Sequence, residues 1–351
     1  MKIGLVIYGS LDTLSGGYYY DRRLVASLRR HGDEVLLVSL PWRNYAAHLT
    51  DNLHFRLPPD LDLLVQDELN HPSLLAANAR PHPYPVISLV HHLRSSEEHS
   101  FLHGVFYRSV ERRYLRSVDG IIFNSQTTRI AVQSLAGTGK PGLIAYPPTD
   151  RFGSPVSAAQ VSERAEHPGP LRVLFLGNVI RRKGLHILIK ALPGLPTGSV
   201  TLDVVGSLTA DPAYARHIYE QVIGLGLLES VSFRGILEEA ELRRVMLESD
   251  LLVVPSSYEG FGIVYLEGMA FGLPAIGTTA GAAGEIIAHG ENGYLIEPGD
   301  SAPLTRHLAA LHSDRKLLSR LSLAALKRYS EQPGWEETAT RVHQFLIEMI
   351  S

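Results

Sequence analysis

The stretch Ser256-Ser-Tyr-Glu-Gly-Phe-Gly-Ile-Val-Tyr-Leu-Glu-Gly-Met-Ala-Phe-Gly-Leu-Pro274 decides how this chain is read. The apolar run Asp250-Leu-Leu-Val-Val-Pro255 before it reads as a buried strand. Gly260-Phe261-Gly262 then lets the backbone turn tightly before Ile263 opens a helix. A strand, a glycine-rich turn and a helix start make a corner where backbone N–H groups and the positive end of the helix dipole face an anion. Gly260, Phe261, Gly262, Ile263 and Val264 are therefore the expected contacts of a diphosphate. Two carboxylates flank this corner, Glu259 in the loop and Glu267 eight positions later. The Glu267 side chain tilts back toward the helix start, where phosphates would repel it but the two vicinal hydroxyls of a ribose suit a carboxylate. Glu259 can accept from a sugar in the same way. The plain alternative for an arbitrary pair of glutamates is solvent on both.

Outward from this corner, apolar runs bounded by turn residues alternate with longer helical patterns, as in parallel sheets covered by helices. A length of 351 residues exceeds what one core usually supports and predicts two domains. In the first, strands fit 2–8, 34–40, 61–66, 85–91, 119–124 and 142–146, with helices near 17–31, 101–117 and 125–136 and Ser125 as an N-cap. In the second, strands fit 171–176, 200–205, 231–234, 250–255, 274–278 and 293–296, and Asp211-Pro212 opens a helix. Helices near 302–312, 316–329 and 335–349 close the chain. The expected domains are 1–150, a linker rich in proline and glycine over 151–170, and 171–334, followed by a final segment 335–351.

Composition narrows the function. Lys plus Arg number 33 against 36 Asp plus Glu, so bulk charge gives no reason to expect nucleic-acid binding. The lack of cysteine excludes disulfides, zinc-thiolate sites and thiol catalysis. Ile3-Gly-Leu-Val-Ile-Tyr8 is too short for a signal core and reads as a strand. No segment reaches the roughly eighteen apolar residues of a membrane span, so a soluble or peripheral protein is expected.

Arg182 and Lys183 follow the strand at 171–176 and precede a helix near Gly184, which puts two cations where a departing diphosphate needs its charge neutralised. His91 and His92 end the strand at 85–91, at the edge where ligands of parallel sheets bind. Gly16-Gly17 opens the first helix, whose apolar side carries Leu24, Val25 and Leu28, and permits close backbone approach to a phosphate or sugar. Their plain alternatives are a solvated helix start, a structural histidine pair and a flexible turn.

The order Glu259-Gly-Phe-Gly262, Glu267, Met269-Ala270 and Gly272-Leu273-Pro274 resembles the signature of retaining family 4 glycosyltransferases, two-domain enzymes of the GT-B type. Phe175-Leu176-Gly177, Arg182-Lys183-Gly184, Gly284-Glu285-Ile286-Ile287 and Glu291-Asn292-Gly293-Tyr294-Leu295 extend the likeness through the C-terminal half; the N-terminal half resembles it more loosely. The resemblance implies two doubly wound Rossmann-like domains facing across a cleft, with the final helix crossing back to the first. It implies catalytic roles for His91, Arg182, Lys183 and Glu259, and donor contacts from Gly16, Gly17, the Gly260–Val264 turn and Glu267. Many members have Gly-Arg directly after the strand. This chain has Gly177-Asn178, so the arginine role moves to Arg182 with Arg181 as competitor, and His92 competes with His91.

The resulting expectation is a cytoplasmic, metal-independent transferase that uses no cofactor beyond its donor. It would move a sugar from a nucleotide-diphosphate sugar to a glycan, lipid-linked or small-molecule acceptor with retention of configuration. A GT-B epimerase or phosphorylase, or a nucleotide-sugar-binding protein without turnover, are the other readings. Asp60-Leu61-Asp62 resembles a metal motif but precedes its strand, and His91, His92, His99 and His103 lack a carboxylate of defined spacing. Residues 101–116 combine an apolar stripe with several arginines, which fits either peripheral contact with anionic lipid at the inner membrane face or a core-packed helix with solvated arginines. Oligomeric state has no signature here.

Overall fold

Strands buried on both faces need helices over each face, and that requirement organises the computed structural model of the chain, which describes residues 1–13, 15–137 and 139–351. Two compact units result, one of Met1–Pro148 with Pro333–Ser351 and one of Thr149–Gln332. The first runs β1 (Lys2–Tyr8), α1 (Gly16–Arg30), β2 (Glu34–Leu40), α2 (Tyr45–Leu49), β3 (Leu63–Asp67), α3 (His71–Asn78), β4 (Val86–Val90), α4 (Phe101–Ser117), β5 (Gly120–Phe123), α5 (Gln126–Ala136) and β6 (Gly142–Ile144). Its strands form one parallel sheet in the order β2-β1-β3-β4-β5-β6. The second continues with α6 (Ala158–Glu166), β7 (Leu171–Leu176), α7 (Leu185–Ala191), β8 (Val200–Val205), α8 (Pro212–Gly224), β9 (Val231–Gly235), α9 (Glu239–Glu248), β10 (Leu251–Val253), α10 (Ile263–Met269), β11 (Ala275–Thr278), β12 (Gly293–Ile296), α11 (Ser301–Ser313) and α12 (Arg315–Ser330). Its parallel sheet has the order β12-β11-β10-β7-β8-β9. These are two Rossmann-like α/β units.

In each sheet the chain leaves a central strand toward one side and later returns to its other side, between β1 and β3 in the first unit and between β7 and β10 in the second. Such reversal points open a crevice at the carboxyl ends of the strands. The helix starts read from sequence form as expected: Ser125 accepts from the Thr128 N–H at 3.0 Å, and Asp211 from the Tyr214 N–H at 3.1 Å with Pro212 in the first turn. The last helix, α13 (Trp335–Ile350), joins the core of the first unit, where Trp335 meets the Tyr20 ring edge-on at 5.2 Å.

The linker expected over 151–170 is corrected by the structure. Residues 158–166 form α6, opened by a capping box between Ser157 and Gln160, and Val161 is completely buried within the second unit. Arg164 donates to the Phe271 and Gly272 carbonyls at 2.7 and 3.1 Å. The segment escaped notice because only Val161 and Ala165 of this short helix face the core, too few for a periodic signal between clusters of proline and glycine.

Helix α4 divides into two parts. Val110, Glu111, Tyr114 and Leu115 are buried, whereas Phe101, Leu102, Val105 and Phe106 are 83, 79, 53 and 44% exposed. The apolar stripe of its first turns is therefore not core-packed. Arg112 and Arg116 donate to the Leu135 and Ala136 carbonyls at the end of α5, so part of the basic content is structural. Among the described residues no helix is long and apolar enough to cross a membrane.

Replacing Val161 by aspartate places a carboxylate in the core and should destabilise the second unit by at least about 2 kcal/mol. Calorimetry checks this. A segment acting only as a linker would leave the unfolding transition unmoved.

Candidate active site

The second unit gathers its candidate residues where β7 and β10 end side by side, at the reversal point of the sheet. After β7 the chain forms a turn at Arg181–Lys183 and enters α7 through Gly184 in the left-handed region, φ +71°. Any Cβ on Gly184 would lie 2.0 Å from the Pro255 carbonyl oxygen, so glycine is what lets this turn press against the end of β10. The Ser257 N–H donates to the Arg182 carbonyl at 2.8 Å and fixes the register of the two loops.

Across that junction Lys183 Nζ donates to Glu259 Oε1 at 2.6 Å. Ser256 Oγ donates to the same oxygen at 2.5 Å, and Arg182 Nη1 donates to the Tyr258 carbonyl at 2.9 Å, 3.9 Å from Glu259 Oε2. Arg182 thus turns onto this loop while Arg181 is exposed. Glu259 is only 5% exposed. Burial by itself raises a carboxyl, but Lys183 and Arg182 outweigh it and hold Glu259 below the usual carboxylate range. Burial likewise holds Lys183 below the usual ammonium range despite the Glu259 charge. The Glu259 backbone is fixed in turn, its carbonyl accepting from the Ala282 N–H at 2.8 Å, so the Gly281–Glu285 segment supports the loop from behind.

Beyond Glu259, Gly262 adopts φ +90° as the residue that starts α10, and among the described residues no side chain caps that helix. Glu267, in its second turn, is buried. It pairs with Arg151, Nη1 to Oε1 3.6 Å. Burial raises the Glu267 carboxyl, and Arg151 works against that rise. Arg151 sits in the turn Asp150–Phe152, which Phe152 anchors on the Phe271 ring at 5.5 Å and Arg243 anchors through the Phe152 carbonyl at 2.8 Å. Sequence reasoning missed this arginine because it lies in the segment taken for a linker.

In the first unit, His91 follows β4 and its Nε2 lies 3.2 Å from Asp21 Oδ1 on α1. Gly17 is beside it: a Cβ there would meet the imidazole Cδ2 at 3.2 Å. Asn124, after β5, donates to the His91 carbonyl at 2.6 Å. Gly16 and Gly17 occupy the first turn of α1, behind an N-cap at Ser15. His92 instead pairs with Glu97 at 2.9 Å, His99 with the Arg94 carbonyl and His103 with Ser100. Asp21 was missed, although its signal was present. With Leu24, Val25 and Leu28 it completes an i, i+3, i+4, i+7 stripe, so a carboxylate stands on the core side of α1 and requires a partner. The Asp62 carboxylate accepts from the Lys2 N–H at the amino-terminal edge of the sheet, away from these residues.

Residues 158–328 match the family described as Glycosyl transferases group 1. A glycogen synthase of Mycobacterium tuberculosis is 28% identical over 282 residues, covering 79% of this chain and 66% of that protein. The D-rhamnosyltransferase WbpZ of Pseudomonas aeruginosa is 30% identical over 264 residues, 71% of this chain and 67% of that protein. Among solved structures, Anabaena HepE in complex with UDP and glucose superposes with a TM-score of 0.78 at 21% identity, covering 99% of this chain and all of that one. A sucrose-phosphate synthase of Thermosynechococcus elongatus superposes with a TM-score of 0.82 at 20% identity, covering 99% of this chain and 98% of that one. These two structures carry the fold, and it is GT-B. With that fold and this sequence match, the chain belongs to the group 1 glycosyltransferases.

Proposed function

We propose that the chain transfers a sugar from a nucleotide-diphosphate sugar to an acceptor hydroxyl, with retention of configuration and without a metal ion. The observation that carries this reading is the Arg182, Lys183 and Glu259 constellation at the junction of β7 and β10. In the transfer, the bond from the anomeric carbon to the phosphate oxygen breaks, and the acceptor oxygen bonds to that carbon on the same face. The acceptor's proton passes to a phosphate oxygen. Negative charge grows on the leaving diphosphate, and Arg182, Lys183 and the amides of the Gly260–Val264 turn stabilise it. Glu259 holds donor-sugar hydroxyls and Glu267 the ribose diol, both as acceptors. Gly16, Gly17 and His91 are the further donor contacts in this reading. HepE is described with UDP and with UDP-glucose, and a relative from Mycolicibacterium smegmatis as GDP-mannose-dependent, so these two donors head the screen.

Incubating the chain with each donor, with and without a glycan or lipid-linked acceptor, separates the readings. A transferase yields glycoside plus free nucleoside diphosphate, an epimerase yields an altered donor, and a binding protein yields neither. Lys183→Ala should lower kcat about 10²- to 10³-fold by removing a preorganised cation. Glu267→Ala should weaken nucleotide binding about 10- to 100-fold, the loss of charged hydrogen bonds. Unaltered turnover in both variants contradicts the assignment.

The exposed Phe101, Leu102, Val105 and Phe106 favour a lipid-linked acceptor approached at a membrane surface, with Arg108 and Arg113 on the same helix facing anionic headgroups. Cosedimentation with anionic vesicles should retain the chain at low salt and release the double variant Phe101→Asp, Leu102→Asp. Equal sedimentation of both proteins removes the membrane from the proposal.

A further inference from the structure

The carboxylate that faces the His91 ring has no place in the mechanism just described. Asp21 is wholly buried; its Oδ1 lies 3.2 Å from His91 Nε2, while Oδ2 has no hydrogen-bond partner among the described residues. Asp67, at the end of β3 and itself 3% exposed, brings a carboxylate oxygen within 4.8 Å of an Asp21 oxygen and of a ring nitrogen of His91. An ionised carboxylate taken out of water is costly unless it is paired, so this arrangement favours a positive charge on the ring between the two acids. The ring has little freedom to turn away, being enclosed by Gly17, by the Tyr20 ring at 5.3 Å and by the Asn124 amide on its backbone carbonyl.

We propose that Asp21 is a positioning residue for His91: it holds Nε2–H, keeps the ring an imidazolium and leaves Nδ1–H as the donor offered to a phosphate or hydroxyl oxygen of the sugar donor. Nδ1 carries no hydrogen bond among the described residues. The ligand half of this inference rests on the proposed function; the charge and orientation of the ring do not. Among the described residues, Asp21 of α1, Asp67 at the end of β3 and Glu68 directly after it bear on the charge of the ring, and Tyr20 of α1 packs against it. Burial works to discharge the imidazole, but the Asp21 hydrogen bond and charge, with Asp67 and Glu68 behind it, raise His91 to about 9. Burial together with the Asp21 charge raises Asp67 to about 8, and Asp21 is the acid within hydrogen-bond reach of the ring. Because the histidine is raised on folding, the stability this pair contributes is complete below the ordinary histidine value of about 6.5 and is lost as pH climbs through about 9.

Histidine-labelled NMR on the full chain, with the His91 signal assigned by His91→Gln, reads the ring directly. His91 should titrate near pH 9. In Asp21→Asn the midpoint should fall by at least about one unit toward the ordinary value, whereas Asp67→Asn should shift it less. A ring that titrates at the ordinary value in the unaltered chain, or that responds equally to both substitutions, overturns the proposal, and the first of these outcomes needs no variant to fold. With a donor and acceptor pair that the chain turns over, Asp21→Asn should lower kcat at least about tenfold at pH 8 and much less at pH 6, where the ring regains its proton. An equal loss at both pH values marks a merely structural role and also overturns it. If no nucleotide sugar is turned over, the proposed function fails while the NMR titration still decides the role of Asp21.

Discussion

One buried ion pair, Lys183 with Glu259, sets the terms for the second unit. Its partners stand 76 positions apart in the chain and meet only because β7 and β10 are neighbours at the reversal of the sheet. Removing one partner of such a pair costs about 3–5 kcal/mol, because the other is left charged and buried, yet apolar side chains of similar volume would often hold the fold as well. Stability alone therefore does not account for it. What the pair provides is a carboxylate and an ammonium fixed within 2.6 Å, which in the proposed function serve the hydroxyls and phosphates of the donor. The surrounding contacts are arranged to keep it so: Gly184 allows the turn to approach Pro255, and Ser256 donates to the shared oxygen of Glu259. Since Glu259 is lowered on folding, the stability it contributes is present above the ordinary carboxylate range and disappears as pH falls through its depressed value.

Much of this was legible from the sequence because parallel strands buried on both faces read as unbroken apolar runs. The strand at Lys2–Tyr8 and the one at Leu171–Leu176 fall where the runs place them. Caps with a chemical reason, Ser125 and Asp211 with Pro212, were equally readable. Helices without a clean polar face were not. In α3, His71, Pro72, Ser73, Leu74, Ala77 and Asn78 are all buried, so the periodic contrast that announces an amphipathic helix is missing. Helix α2 is too short to register. The same division holds at the site. Residues within one local motif, Glu259 through Glu267, stand out through the likeness of that motif to a family signature, but a partner chosen by tertiary contact does not. Asp21 lies 70 positions from His91, and Arg151 more than a hundred from Glu267.

The two glutamates of that motif end in opposite electrostatic settings, which spacing cannot foresee. Both are almost fully buried, and burial pushes both upward. Glu259 has a lysine at 2.6 Å and an arginine at 3.9 Å, enough to reverse the push; Glu267 has one arginine at 3.6 Å, and burial prevails. Paired acids whose surroundings drive them apart are a recurrent mark of divided roles. In the role proposed for it, accepting from two hydroxyls, Glu267 works only when ionised, and Arg151 is the cation that favours that form. That dependence ties the binding corner to the turn Asp150–Phe152, where the chain first enters the second unit and where Phe152, anchored on Phe271, holds Arg151 in place. The segment that looks in sequence like a passive connection thus supplies the cation that opposes the effect of burial on a residue in the signature itself.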